Sequence, residues 1–297
     1  MNTLIKFRIN KDHINLLGTN VRIISNGNSY ATVVLPIDEI NADNLNQSNV
    51  VFARKMYYDW DIIHKYTDKE WADACLFRLT IKKTIEPCGE ECGTVYNDDA
   101  CPICGAGRTQ KGPLILSKEP SLGKMDICKT IAGEVIVSKR FQELMVKYNI
   151  QGMSFLPILI KGKFSQHVMQ LKAESCVNVS PKTRFGIDCF DRDNIPYSNE
   201  QKVDICGHEI TMAKEIYVCP NKDLLGLNLL SELYINMGTN HIHPFDFAKT
   251  AQYVGVKRGL LRPEPLYVCS REFLDIIKQE KITGVDFEIA RTSEEDI

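Results

Sequence analysis

Four cysteines between Glu86 and Gly107, in the stretch E-P-C-G-E-E-C-G-T-V-Y-N-D-D-A-C-P-I-C-G-A-G, carry the clearest chemistry in this chain. They form two pairs, Cys88-x3-Cys92 and Cys101-x2-Cys104, separated by eight residues. Gly93 and Gly105 follow the pairs, where a tight turn needs a left-handed residue or a close backbone approach. Two such turns facing each other offer four thiolates in a tetrahedron, the closed shell of structural zinc. The expectation is one structural Zn²⁺ per chain on Cys88, Cys92, Cys101 and Cys104, with a redox dithiol or chance placement as the alternatives. A catalytic zinc keeps a position open, so four thiolates indicate a staple. The linking T-V-Y-N-D-D-A is long enough for a short hairpin turning at N-D-D.

Charge narrows the role. From Thr84 to Pro113, Glu86, Glu90, Glu91, Asp98 and Asp99 stand against Arg108 and Lys111. Four deprotonated thiols around Zn²⁺ add about two more negative charges. A ribbon that grips phosphate should be basic, and this one is acidic. A lobe of about 84–113 with so little apolar sequence needs the metal to hold its shape.

Other chemistry is thin. Cys75, Cys128, Cys176, Cys189, Cys206, Cys219 and Cys269 are scattered singly and read as small buried hydrophobes in a reducing compartment. The odd total of 11 cysteines agrees with that. Cys206, His208, His241 and His243 could serve a second metal, although strand-end or loop histidines explain them as well. Trp60 and Trp71 lie among carboxylates and read as core or interface anchors. There is no G-x-S-x-G elbow, phosphate loop, dinucleotide fingerprint or open metal site, so a binding protein is expected and not an enzyme.

The elements that position these residues show an internal echo. V-I-V-S-K-R-F-Q-E-L-M-V-K-Y-N-I-Q-G-M-S-F-L-P-I (135–158) aligns without a gap on Y-V-C-S-R-E-F-L-D-I-I-K-Q-E-K-I-T-G-V-D-F-E-I (267–289). Each copy reads as strand, helix, strand: a serine N-cap (Ser138, Ser270), an apolar helical stripe, then I-x-G-x-x-F as a glycine-turned exit. The stripe is Phe141, Leu144, Met145 and Tyr148 in the first copy; the second keeps Phe273, Ile276 and Ile277 but has Glu280 at the fourth place. Upstream, D-I-C-K-T (126–130) is echoed by D-F-A-K-T (246–250). The expected fold is α+β, or α/β, with two related halves at about 1–165 and 166–297 and the zinc-ribbon-like lobe inserted in the first. T-L-I-K-F-R-I, N-V-R-I-I-S and S-Y-A-T-V-V-L-P read as N-terminal strands.

Composition sets the outer limits. At 297 residues, 44% hydrophobic and 25% charged, the chain has the proportions of a globular protein with room for two domains. A formal net charge of −2 supplies no field that would gather nucleic acid or anionic membrane. No apolar run approaches the ~18 residues of a membrane span, and M-N-T-L-I-K-F-R-I-N-K-D lacks a signal-peptide core. A cytoplasmic location is expected.

Cys101-Pro-Ile-Cys104-Gly105, the longer Cys88-Gly-Glu-Glu-Cys92-Gly93, and V-S-x-x-F … I-x-G-x-x-F together resemble a bacterial group with a double CXXCG motif. That group is similar to immunity proteins of polymorphic toxin systems, and the resemblance covers about residues 80–160. It implies a cytosolic protein that binds a cognate toxin and blocks it without catalysis. The alternative is a nucleic-acid-binding or regulatory zinc ribbon; an enzyme built on His208, His241 or His243 is a third reading.

Overall fold

Apolar residues at alternate places make T-L-I-K-F-R-I a strand with one buried face, and Ile5, Phe7 and Ile9 are fully buried. A computed structural model describes residues 1–17, 21–37, 57–186, 202–205, 208–211, 222–225, 228–236, 245–255 and 260–293. The first strands are β1 (Asn2–Asn10), β2 (Arg22–Asn26), β3 (Tyr30–Pro36) and β4 (Tyr57–Lys65). They form an antiparallel sheet in the order β2-β3-β1-β4. Its core gathers Ile5, Phe7, Ile9, Ala31, Val33, Leu35 and Ile62, with Trp60 packed against it. A short helix, α1 (Asp68–Asp73), follows.

Next along the chain come β5 (Leu76–Ile81), β6 (Thr84–Ile85), β7 (Val95–Tyr96), β8 (Gln110–Lys111) and β9 (Leu114–Leu116). Then follow β10 (Ile127–Thr130), β11 (Val135–Ser138), α2 (Lys139–Lys147), β12 (Met153–Ile160), β13 (Lys163–Ala173) and β14 (Ser175–Val179). Short strands β15 (Phe185–Gly186), β16 (Lys202–Ile205), β17 (His208–Thr211), β18 (Leu224–Leu225) and β19 (Asn228–Leu229) precede β20 (Leu233–Asn236). The last elements are β21 (Phe247–Gly255), β22 (Glu264–Ser270), α3 (Arg271–Gln279) and β23 (Val285–Ser293). One sheet runs β6-β10-β11-β13-β12-β9. In the other, β14, β20, β23, β5, β22 and β21 close into a ring, because β14 pairs with both β20 and β21.

The molecule is therefore mostly β, with three α-helices among the described residues, and the expected α+β class holds only in that loose sense. Each strand-helix-strand crossover supplies one helix and α1 is the third, while antiparallel and parallel ladders build the sheets. The expected boundary at 165/166 falls inside β13, which pairs with both β11 and β12. Contacts gather the chain differently. One compact unit holds Met1–Asp73, Arg184–Glu215 and Leu229–Ser231, and the other holds Ala74–Thr183, Ile216–Asn228 and Glu232–Ile297.

In the second unit the same geometry occurs twice. The Ser138 hydroxyl accepts the Phe141 N–H at 3.0 Å, and Ser270 accepts the Phe273 N–H at 3.1 Å, so both helices start on the serine read from sequence. Phe141 and Met145 of α2 are buried, as are Phe273, Leu274, Ile276 and Ile277 of α3. The left-handed residues that end the helices are Asn149 and Lys281, not the glycines. Gly152 and Gly284 also have positive φ, and a Cβ there would fall onto the carbonyl oxygens of Phe247 and Ile127 respectively. Close backbone approach is what requires glycine at these places.

Strand registers agree as well. Ser138 lies opposite Val168 and Val135 opposite Leu171; correspondingly, Ser270 lies opposite Leu76 and Tyr267 opposite Leu79. Met153 faces Ala173 as Val285 faces Ile81, and Lys129 faces Thr84 as Lys249 faces Cys176. Thus β5–β6 stands to one segment as β13–β14 stands to the other, at a constant shift. The strand at the centre of each crossover lies outside its own strand-helix-strand segment: β13 follows β12, whereas β5 precedes β22.

Candidate metal centre

The second cysteine pair forms a tight knuckle. The Gly105 N–H donates to the Cys101 carbonyl at 2.7 Å, Cys101 N–H donates to the Ala106 carbonyl, and the Ala106 N–H points at Cys104 Sγ at 3.4 Å. Gly105 takes φ 71°, the left-handed place expected after the pair. Pro102 and Ile103 face outward, while Cys101 and Cys104 are 5% and 0% exposed. Tyr253 packs against Cys101, Cys104 and Ala106.

Facing this knuckle is Asp223, only 3% exposed. The Cys104 thiol donates to Asp223 Oδ2 at 3.2 Å, and the Tyr253 N–H donates to Oδ1 at 3.0 Å. Donor atoms of Cys101, Cys104 and Asp223 all lie within 4.8 Å of one another. Burial pushes the Cys104 thiol pKa well up, and Asp223 adds to the rise. In the absence of a cation that thiol stays protonated. A cation bound by the sulfur reverses this, because a coordinating thiol is deprotonated. Two thiolates and a carboxylate form a donor set that fits Zn²⁺.

Cys88 and Cys92 stand outside that group. The longer spacing folds Glu90–Cys92 as a 3-10 turn ending at Gly93, φ 90°. Cys88 is fully buried, with its N–H on Glu91 Oε2, and Cys92 Sγ accepts the Ser117 N–H at 3.3 Å. The hairpin also differs from expectation: β7 pairs with β8, so the turn is Asn97–Thr109 and carries the knuckle itself. Within that longer turn Asp99 accepts the Thr109 N–H and hydroxyl.

A buried polar group anchors the lobe. The Tyr96 hydroxyl donates to Glu134 Oε1 and the Thr130 hydroxyl to Oε2. Burial raises the pKa of both Tyr96 and Glu134, with Glu134 further raising Tyr96. Arg108 stacks over the Tyr96 ring at 3.5 Å and pairs with Glu90 at 2.8 Å. Beside it lies a cavity of about 390 Å³ reached by Arg108, Glu134, Gln170, Lys249 and Arg262.

His241, His243 and Cys206 lie outside the described residues. The backbone of His208 pairs with Ile205 in the β16–β17 hairpin. Asp126 and Asp246 of the repeated D-x-x-K-T bind the serine caps, so that motif is structural. Sequence reasoning missed Asp223, which is distant in the chain from the knuckle. Among the described residues no helix is long and apolar enough to cross a membrane. No protein-family profile matches the chain, and no curated protein matches it in sequence.

Proposed function

We propose that this chain is a non-catalytic, cytoplasmic protein-binding module that binds a cognate bacterial toxin and neutralises it. The surface of the cysteine lobe carries the reading. Glu86, Glu90, Glu91, Asp98 and Asp99 are exposed there, together with Val95 at 56% and Ile103 at 38% exposure. Apolar anchors ringed by carboxylates suit a basic protein surface: the anchors supply burial, and the charges steer and register the partner. The same carboxylates would repel phosphate, which disfavours a nucleic-acid-binding ribbon. A structural zinc, one per chain, belongs to this reading, since the lobe's described core is small.

The matched caps and registers support a further part of the reading, that two related halves arose by duplication and exchange their leading strands, β5 and β13. On that view the cysteine lobe is an insertion between β6 and β10 of one half. The corresponding interval of the other half, between β14 and β21, carries a different insertion.

The test is co-expression with the protein encoded beside it, followed by size-exclusion chromatography. A stoichiometric complex is expected, and Asp98→Lys combined with Val95→Glu should weaken it at least about tenfold. Turnover of a small substrate by the purified chain alone would overturn the proposal. So would salt-dependent DNA or RNA binding with no complex formed.

A further inference from the structure

We infer that the metal of this protein is held by Cys101, Cys104 and Asp223, clasping the cysteine lobe to the β18–β21 ladder, and that Cys88 and Cys92 are not ligands. The inference rests on the metal part of the reading above and changes its ligand set.

Geometry is the first argument. With metal–sulfur bonds of about 2.3 Å and metal–oxygen bonds of about 2.0–2.2 Å, the edges of a tetrahedral site are roughly 3.5–3.8 Å. Cys104 Sγ and Asp223 Oδ2 are 3.2 Å apart, and all three donor atoms lie within 4.8 Å of one another. Small side-chain rotations reach the bound geometry from there. The second argument is burial. Asp223 is 3% exposed and Cys104 is 0% exposed, so a cation held between them would be shielded from water, which strengthens its attraction to thiolate and carboxylate.

Donor chemistry selects the ion. Two soft sulfurs disfavour Mg²⁺ and Ca²⁺, which take oxygen ligands, and suit Zn²⁺ or its probe Co²⁺. Among the described residues three donors gather, so the closed four-thiolate shell of the two cysteine pairs is not formed there. Asp223 is itself fixed, because Tyr253 N–H holds its other oxygen and Leu224 and Leu225 pair with Val254 and Gly255 of β21.

Sequence spacing adds an independent argument. Cys206-Gly-His-Glu209 and the later Cys219-Pro220 repeat Cys88-Gly-Glu-Glu91 and Cys101-Pro102 at the same interval. In that alignment Lys222 and Asp223 stand where Cys104 and Gly105 stand. The stretch 206–223 thus repeats in sequence two of the four cysteine positions of 88–105. Asp223, at its end, presents a carboxylate to the Cys101–Cys104 knuckle.

The experiment uses the full chain, stripped of metal under reductant and titrated separately with Zn²⁺ and Co²⁺. One ion per chain is expected, with a sulfur-to-cobalt absorption band of two-thiolate strength. Cys101→Ser and Cys104→Ser should abolish that band. Asp223→Ala should weaken binding by about 10- to 100-fold or more and shift the ligand-field bands. Cys88→Ser and Cys92→Ser should leave stoichiometry and spectrum unchanged, and circular dichroism of each apo variant reports whether it has folded. Wild-type affinity in Asp223→Ala overturns the inference. Loss of metal in Cys88→Ser and Cys92→Ser also overturns it and restores the four-cysteine zinc. Absence of any bound ion overturns both.

Discussion

The segments β11–α2–β12 and β22–α3–β23 make the same hydrogen bonds in different surroundings. Asp126 accepts the Ser138 hydroxyl at 3.0 Å and the Thr283 N–H at 3.1 Å; Asp246 accepts the Ser270 hydroxyl at 3.0 Å and the Gln151 N–H at 2.9 Å. Each aspartate therefore ties its own helix cap to the helix exit of the other segment. Around this shared frame the packing diverges. The first segment lies in an open sheet and buries two helix residues, whereas the second lies in the closed ring and buries four. Arg140 pairs with Asp126 at 3.1 Å, but Glu272 occupies the matching place beside Asp246. The directional contacts are the same in both segments, while the buried helix side chains differ.

The largest effects should come from the packing layer, where the segments differ. Phe141 and Phe273 are 1% and 0% exposed, and Phe→Ala at such sites costs about 3–5 kcal/mol. Phe273 lies 5.7 Å from Phe247, which in turn stacks on Tyr267, whereas Phe141 meets Phe155 edge-on at 6.3 Å. Phe273→Ala should therefore be the more damaging change, by about 1 kcal/mol. Both tryptophans, Trp60 and Trp71, fall in the first compact unit, outside the helices to be compared. Hydrogen exchange of the α2 and α3 amides is the suitable measurement. A larger loss from Phe141→Ala would reverse the contrast.

The next effect tests the shared frame. Asp126→Ala and Asp246→Ala should each cost about 1.5–3 kcal/mol, since each removes charge-assisted bonds to a hydroxyl and a backbone N–H. Arg140 is half exposed, so its pair with Asp126 adds little to the difference. Near-equal losses, followed by the same hydrogen exchange, would sharpen the correspondence. A loss confined to one aspartate would break it.

What could be read in the sequence was the local part. Serine caps, the apolar stripe of each helix and the paired aspartates all act within a few residues of one another, and each declares itself by type and spacing. The role of glycine at 152 and 284 was misplaced, because the residue that ends a helix and the residue that admits another backbone look alike in one dimension. The pairing of β13 with β11 and β12, and of β5 with β22 and β23, leaves no local mark, since a strand's sequence shows which face is buried but not its partner. The candidate metal centre was half legible for the same reason. Cys101 and Cys104 announce a knuckle, but Asp223 reaches them through a strand pairing far along the chain.

The smallest effect lies where the two stripes end. Tyr148 and Glu280 hold the fourth place in their respective stripes, one apolar and one charged, and the Tyr148 hydroxyl donates to Glu280 Oε1. This bond, with Lys147 nearby at 3.6 Å, holds the Glu280 carboxyl below its ordinary pKa of 4.5. A depressed carboxylate contributes stability that is complete above its unfolded pKa and is lost as pH falls through the folded value. Tyr148→Phe should raise the Glu280 pKa towards the ordinary value, as followed by carboxyl carbon NMR between pH 2 and about 6. Lys147→Ala should raise it less, because the hydrogen bond is the leading cause and the lysine is exposed. If Tyr148→Phe leaves the titration unmoved, the two stripes do not meet. The mismatch of tyrosine and glutamate at that place would then be simple divergence, without the reciprocal contact described here.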